Sequence, residues 1–226
     1  MNLGELIEAF RDESDDKARS LNGARNDVFA TDDTLIRFAN EAQVEACRRA
    51  FLLSDSTAPM CSITYAANDA SVPLDGKILE IRWALDGRGE KVHVLKPGGC
   101  LYPPLGWQND TVTGDPKSLI LGIDTGRAHL YPRPQDAGTL HLTVYRLPLE
   151  RMAVDDDVPE IREEWHRGLV DWMLYRAYSR RDGDRHDPRL AAEALSRFEA
   201  EFGRGHGARN EEWSRNAPVH SLPPIA

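Results

Sequence analysis

The residues of this chain with the chemistry to bind a metal or act on a substrate are seven histidines, three cysteines and a few clustered carboxylates. His93, His129, His141, His166, His186, His206 and His220 show no HExxH and no His–Cys pairing at ligand spacing. His93, His129 and His141 fall on separate expected strands. Brought together, they would make a small-molecule or metal site in a β region; apart, they are ordinary surface or packing residues. Asp155, Asp156 and Asp157 are consecutive and cannot all face one ion without backbone contortion, so they read as a solvated approach to a helix. There is no GxSxG; Cys47 falls mid-helix as a small buried thiol, and nothing near Cys100 in sequence would lower its pKa. Gly203, Gly205 and Gly207 follow a helix instead of joining a strand to one, so they read as a connector, not a phosphate loop. Glu163, Glu164 and Asp171 sit beside Arg162 and Arg167 as exposed-face carboxylates. Trp165, Trp172, Tyr175 and Tyr178 crowd one helix. They could stack bases, but without a basic groove they read as core and interface anchors, with Phe198 on the next helix. No catalytic residue, cofactor or metal site is expected.

The elements that would carry these residues follow from periodicity. Leu3, Leu6, Ile7 and Phe10 define an amphipathic helix from Asn2 to about Ser14. A longer helix is expected from about Asp32 to Leu53, with Thr31 as N-cap and Asp32 and Asp33 in the first turn. Its stripe of Leu35, Phe38, Ala39, Ala42, Ala46 and Ala50 is rich in small residues, which allows a neighbouring helix to approach closely. From Pro59 the pattern becomes β-prone runs broken by Gly, Pro and Asp: CSITYAA, KILEIRWALDG, EKVHVLKP, KSLILGIDTG, RAHLYPRP and GTLHLTVYRLPL. Asp124-Thr125-Gly126 predicts a hairpin turn, and residues 97–116 are too rich in breakers for any regular element. Helical periodicity returns at Pro159, aligning Ile161, Trp165, Leu169 and Trp172 or Met173. A last helix follows Asp187, with Leu190, Ala194, Leu195, Phe198 and Phe202 on its apolar face and Gly203 as its cap.

The expected fold class is therefore α+β: a bundle of about four helices with an inserted β-rich lobe and an extended C-terminal tail. The expected division is 1–56 and 151–205 for the helical domain, 57–150 for the β lobe and 206–226 for the tail. With 41% hydrophobic and 29% charged residues the chain can bury a core and is neither disordered nor disulfide-dense. A net charge of −9 argues against a conventional DNA-binding domain, which needs a basic face against the phosphates, and leaves room only for local basic patches. The longest apolar runs have four residues, against roughly 20 needed to cross a bilayer, so no membrane association is expected. The opening MNLGELIEAFRDESDD has no basic n-region, and three widely spaced cysteines suit a reducing compartment.

LGELIEAFRDESDD, DDTLIRFANEAQVEACRRA, DTGRAHLYPRPQDAGTLHLTVYRLPLERM, and HRGLVDWMLYRAYSRRD with FEAEFG resemble the head-to-tail adaptor proteins of short-tailed bacteriophages, over roughly residues 1–205. The sequence departs from that pattern at Phe29-Ala30, in the loop 97–116 and in its prolonged tail. The resemblance implies a structural, non-enzymatic virion protein made in the host cytoplasm and placed in the neck. Its ring of about twelve copies would join the portal to the tail nozzle or hub and enclose a channel that DNA passes without sequence-specific binding. An acidic channel would repel phosphates. On this reading the tail docks on the portal or a neighbouring copy through Val219, Leu222 and Ile225, with Pro218, Pro223 and Pro224 limiting its free conformations. Another ring of the neck or tail tube, or less favourably a small-molecule enzyme built around the three strand histidines, are the alternatives.

Overall fold

The computed structural model describes residues 1–14, 29–96, 106–180 and 186–205. Cys100, Gly207, His206, His220 and the tail with Val219, Leu222, Pro223 and Ile225 lie outside the described residues. The chain divides into two compact units: one built from Met1–Leu53 and Leu147–Gly205, the other from Ser54–Arg146. The class is α+β.

The first unit is helical. α1 (Leu3–Glu13) begins with a capping box: Asn2 Oδ1 accepts from the Glu5 amide at 2.8 Å, and Glu5 Oε2 accepts from the Asn2 amide at 2.9 Å. α2 (Asp32–Ala50) has Thr31 at its N-cap, but the Thr31 hydroxyl donates to Thr34 Oγ1 instead of capping the backbone. This helix ends three residues earlier than the sequence predicts. Phe51 turns left-handed at φ 52°, its amide donates to Cys47 O, and Leu53 opens a strand.

α3 (His166–Tyr178) begins seven residues after Pro159, not at it, behind a 3-10 turn at Glu163–Trp165. The reason lies in α2. Residues 149–162 form an irregular strap whose backbone groups are satisfied by side chains instead of by a helix. Asn40 Oδ1 accepts from the Met152 amide and Asn40 Nδ2 donates to Met152 O, each at 2.9 Å, while Gln43 Oε1 accepts from the Glu160 amide at 2.9 Å. α4 (Pro188–Phe202) is capped by Asp187, whose Oδ1 accepts from the Arg189 and Leu190 amides, and it ends at Gly203, φ 86°.

α3 packs against α1, α2 and α4, which is why its buried residues include Leu169, Val170, Met173, Leu174 and Ala177 in place of a single stripe. At Gly168 the approach of α4 is close: a Cβ there would stand 2.7 Å from the Phe202 ring. The core joins Leu3, Leu6 and Phe10 of α1, the predicted small stripe of α2 with Cys47, and Phe198 and Phe202 of α4.

The second unit is a curled, mixed sheet. Its strands are β1 (Leu53–Asp55), β2 (Ser62–Tyr65), β3 (Ser71–Pro73), β4 (Ile78–Asp86), β5 (Lys91–Leu95), β7 (Ser118–Ile120), β8 (Arg127–Tyr131) and β10 (Gly138–Arg146). The order is β1-β10-β4-β5-β7-β8-β3, with β2 also pairing β10. β2 and β3 touch, which curls the sheet. β5 and β7 run parallel; β7 and β8 form the hairpin predicted around Asp124-Thr125-Gly126. Within residues 97–116 the expectation of no regular element gives way to a 3-10 turn at Trp107–Asn109 and a short β6 (Thr113–Gly114), which pairs β9 (Arg133–Pro134). Breaker-rich sequence forbids a long element but not these short ones.

Inward residues include Ile63, Ile81, Ala84, Val92, Leu119, Leu130, Leu140, Leu142 and Val144. Asp55 closes one end of the unit: its Oδ1 accepts from the Thr57 and Ala58 amides and from the Thr57 hydroxyl, and its Oδ2 takes Arg146 Nε at 2.6 Å.

Candidate assembly surfaces

The outward face of the sheet is set by a bulge in β4. Val144 pairs with Ile81 and Thr143 with Trp83, so Arg82 is an extra residue. The bulge keeps Ile81 and Ala84 both inside and turns Arg82 and Trp83 both outward. Trp83 is 53% exposed and Leu85, two residues on, is 41% exposed. His141 lies opposite Leu85 on β10, Thr143 opposite Trp83, and Lys91 opposite Leu85 on β5. The Lys91 ammonium stands 5.8 Å from the centre of the Trp83 ring, and the Arg82 guanidinium 5.0 Å from that of Tyr145. On the same strand, Glu80 is neutralised by Lys96 at 2.5 Å. No motif or spacing in the sequence marks Arg82, Trp83, Leu85 or Lys91. The available signal is that strict alternation through ILEIRWALD cannot bury both Ile81 and Ala84.

The three strand histidines do not gather into a site. His93 and His141 are exposed; His129 Nε2 lies 2.8 Å from Asp124 Oδ2, and its ring meets Trp107 edge to face at 5.6 Å. Trp107 also covers Leu95, Ile120 and Tyr131, and the Tyr131 hydroxyl donates to Asp110 at 2.9 Å. That bond, first, and burial raise the Tyr131 pKa. Among the described residues no three His, Cys, Asp or Glu side chains are grouped to hold a metal ion. A cavity of 370 Å³, lined in part by Leu74, Ile78, Leu79 and Leu121, lies between the β3–β4 and β7–β8 turns and holds none of the histidines.

In the helical unit, His166 is buried, with Nε2 2.9 Å from Ile161 O, which places it in the packing. Phe198 is fully buried, whereas Trp165 and Trp172 are half-buried. The Trp172 ring packs 5.0 Å from Phe198, and the Arg49 guanidinium lies 5.3 Å and 5.2 Å from the Trp172 and Phe198 ring centres. Arg49 also pairs with Glu45 at 2.8 Å. Trp165 packs on Phe202 at 6.1 Å. Glu163 and Glu164 are exposed and Asp171 is taken by Arg197 at 2.6 Å, so these carboxylates form no acid–base pair.

Asp155, Asp156 and Asp157 lie in the strap, and their roles differ. Asp157 Oδ2 accepts from the Ala153 and Val154 amides at 2.6 and 2.9 Å, which hold its pKa below the usual carboxylate range. Asp155 and Asp156 are exposed, and between and beside these acids Val154 and Val158 are 61% and 58% exposed. The strap borders a cavity of 280 Å³ with Gln43 and Met152. The charge is unevenly shared. Residues 1–53 and 147–205 hold 25 acidic and 17 basic side chains, against 10 and 9 in residues 54–146, so almost all the net negative charge falls in the helical unit.

The two units thus offer binding surfaces of different character, an aromatic and cationic sheet face and an acidic, valine-bearing loop, with no assembled catalytic group among the described residues. The SU10 adaptor protein family model matches residues 1–221, and the chain belongs to that family. The family is one of structural phage adaptors. No curated protein matches the chain. Among the described residues no helix is long and apolar enough to cross a membrane.

Proposed function

We propose that the chain is one subunit of a head-to-tail adaptor ring of about twelve copies, set between the portal and the tail nozzle or hub in the virion neck and enclosing the DNA exit channel. The observation that carries this reading is the family match across residues 1–221. The helical unit forms the ring and the β unit projects toward its neighbours. The concentration of acidic side chains in the helical unit supports an acidic lumen, which repels phosphates and lets DNA slide without sequence-specific contacts. Two unlike surfaces on one chain suit a heterologous, ring-closing contact, in which each copy presents one face to one neighbour and the other face to the next.

The C-terminal segment is the portal-binding element in this reading, with Val219, Leu222, Pro223 and Ile225 as its anchors. Residues 214–226 reach roughly 40 Å when extended. Deleting them should abolish portal attachment and leave the unfolding midpoint of the rest unchanged; attachment that survives the deletion removes the tail from the account.

A further inference from the structure

We infer that the outer sheet face around Trp83 and Leu85 binds a second copy of this chain at the loop Val154–Val158, and that this contact closes the ring proposed above, a reading on which the inference rests. Each surface is incomplete in a way the other matches. The sheet face carries an exposed Trp and Leu at its centre, hydroxyl-bearing and imidazole side chains at Thr143 and His141, and cations at Lys91 and Arg82. The loop carries two exposed valines four residues apart, with Asp155 and Asp156 between them. Apolar centre meets apolar centre, and cation meets anion.

Tryptophan is the residue type that most often anchors a protein interface, and ringing it with opposite charge directs the partner and fixes its register. The loop is rigid enough to serve as a ligand. Asp157 ties the Ala153 and Val154 amides, and the Asp155 and Asp157 carbonyls accept from the Gly4 and Leu3 amides at 3.0 and 2.7 Å. Little ordering is therefore left to be lost on binding. A nucleic acid is the poorer occupant of the sheet face, because two cations make no continuous track for a phosphate backbone.

The test is a cross-link between differently marked copies. With Cys100 replaced by serine and Cys47 and Cys61 buried, Leu85→Cys and Val158→Cys chains are mixed, assembled alone at high concentration or on the portal, checked for ring mass by native mass spectrometry, and oxidised. The expected product is a disulfide between an L85C chain and a V158C chain, with no L85C–L85C product. Asp155→Lys with Asp156→Lys should raise the concentration for half-assembly at least about tenfold, and adding Lys91→Glu should recover part of that loss; Asp157 is left intact because it holds the loop. Rings that form without the mixed disulfide overturn this contact and leave the ring reading standing, as does an L85C–L85C product, which requires two-fold packing. Monomer under every condition, with the portal present, overturns both.

Discussion

Asn40 holds Met152 by both ends of its side-chain amide, with Nδ2 donating to the Met152 carbonyl and Oδ1 accepting from the Met152 amide, each at 2.9 Å. The side chain thus mimics one rung of a β ladder, and it fastens a strap 112 residues away in sequence onto α2. The same Nδ2 donates to Ile36 O one turn back, which fixes the rotamer.

Asn40→Ala leaves the Met152 amide and carbonyl without these partners. Each unsatisfied backbone group costs about 1–3 kcal/mol, so a total loss near 3 kcal/mol is expected in denaturant unfolding. Hydrogen exchange at Met152 should accelerate more than exchange within α4. Unchanged exchange at Met152 would show that the strap is held by other contacts.

The carboxyl of Asp55 is held well below the usual carboxylate range, chiefly by the Thr57 amide, with the Arg146 guanidinium and the Ala58 amide adding to it and burial opposing them. A depressed folded-state pKa means that the unfolded chain binds the proton more readily. The stabilisation is therefore complete above the unfolded value of about 3.9 and is lost as pH falls from there through the folded value. Asp55→Ala should lower stability at pH 7 by about 2–3 kcal/mol, the worth of charge-assisted hydrogen bonds, and should flatten the stability curve below about pH 4. Asp55→Ala with an acid limb parallel to that of the parent chain would contradict the assignment.

Phe198 and Trp172 touch at 5.0 Å but differ in burial, and the difference sets their worth. Phe198→Ala should cost about 3–5 kcal/mol, as for a fully enclosed aromatic residue. Trp172→Ala should cost about 2 kcal/mol, because the residue is only half-buried, its buried Nε1 has no hydrogen-bond partner to lose among the described residues, and Arg49 keeps its ion pair with Glu45. Thermal and urea unfolding would read both; equal losses would mean that Trp172 is enclosed like its neighbour.

α1, α2 and α4 were legible because their caps and apolar stripes are local. Asn2 and Glu5, Asp32 and Asp33 in the first turn of α2, and Asp187 and Gly203 stand where the helix ends require them, although Thr31 holds the N-cap position without a side-chain bond to the backbone. The start of α3 was not legible. Pro159 suits a first helical turn, but Gln43 and Asn40, more than a hundred residues away in sequence, offer the strap backbone its partners and keep it out of the helix. The sheet face escaped for a related reason: only the pairing of Ile81 with Val144 and Trp83 with Thr143 shows that Arg82 is an extra residue and that Trp83 points outward. The three histidines were legible as residue types on separate strands. Their separation was not, because it follows from strand order. Half-exposure of Trp165 and Trp172 likewise depends on how α4 lies against α3, which periodicity along one helix does not encode.

Assembly of this chain into the neck ring is read from mass. Light scattering or native mass spectrometry of the full chain, alone and after mixing with the portal of the same phage, reads the state of assembly without labels or substitutions. A neck-ring subunit gives a closed species of about twelve times 25.3 kDa, formed on the portal or in free solution. A chain that stays at 25.3 kDa and leaves the mass of the portal unchanged would contradict ring assembly.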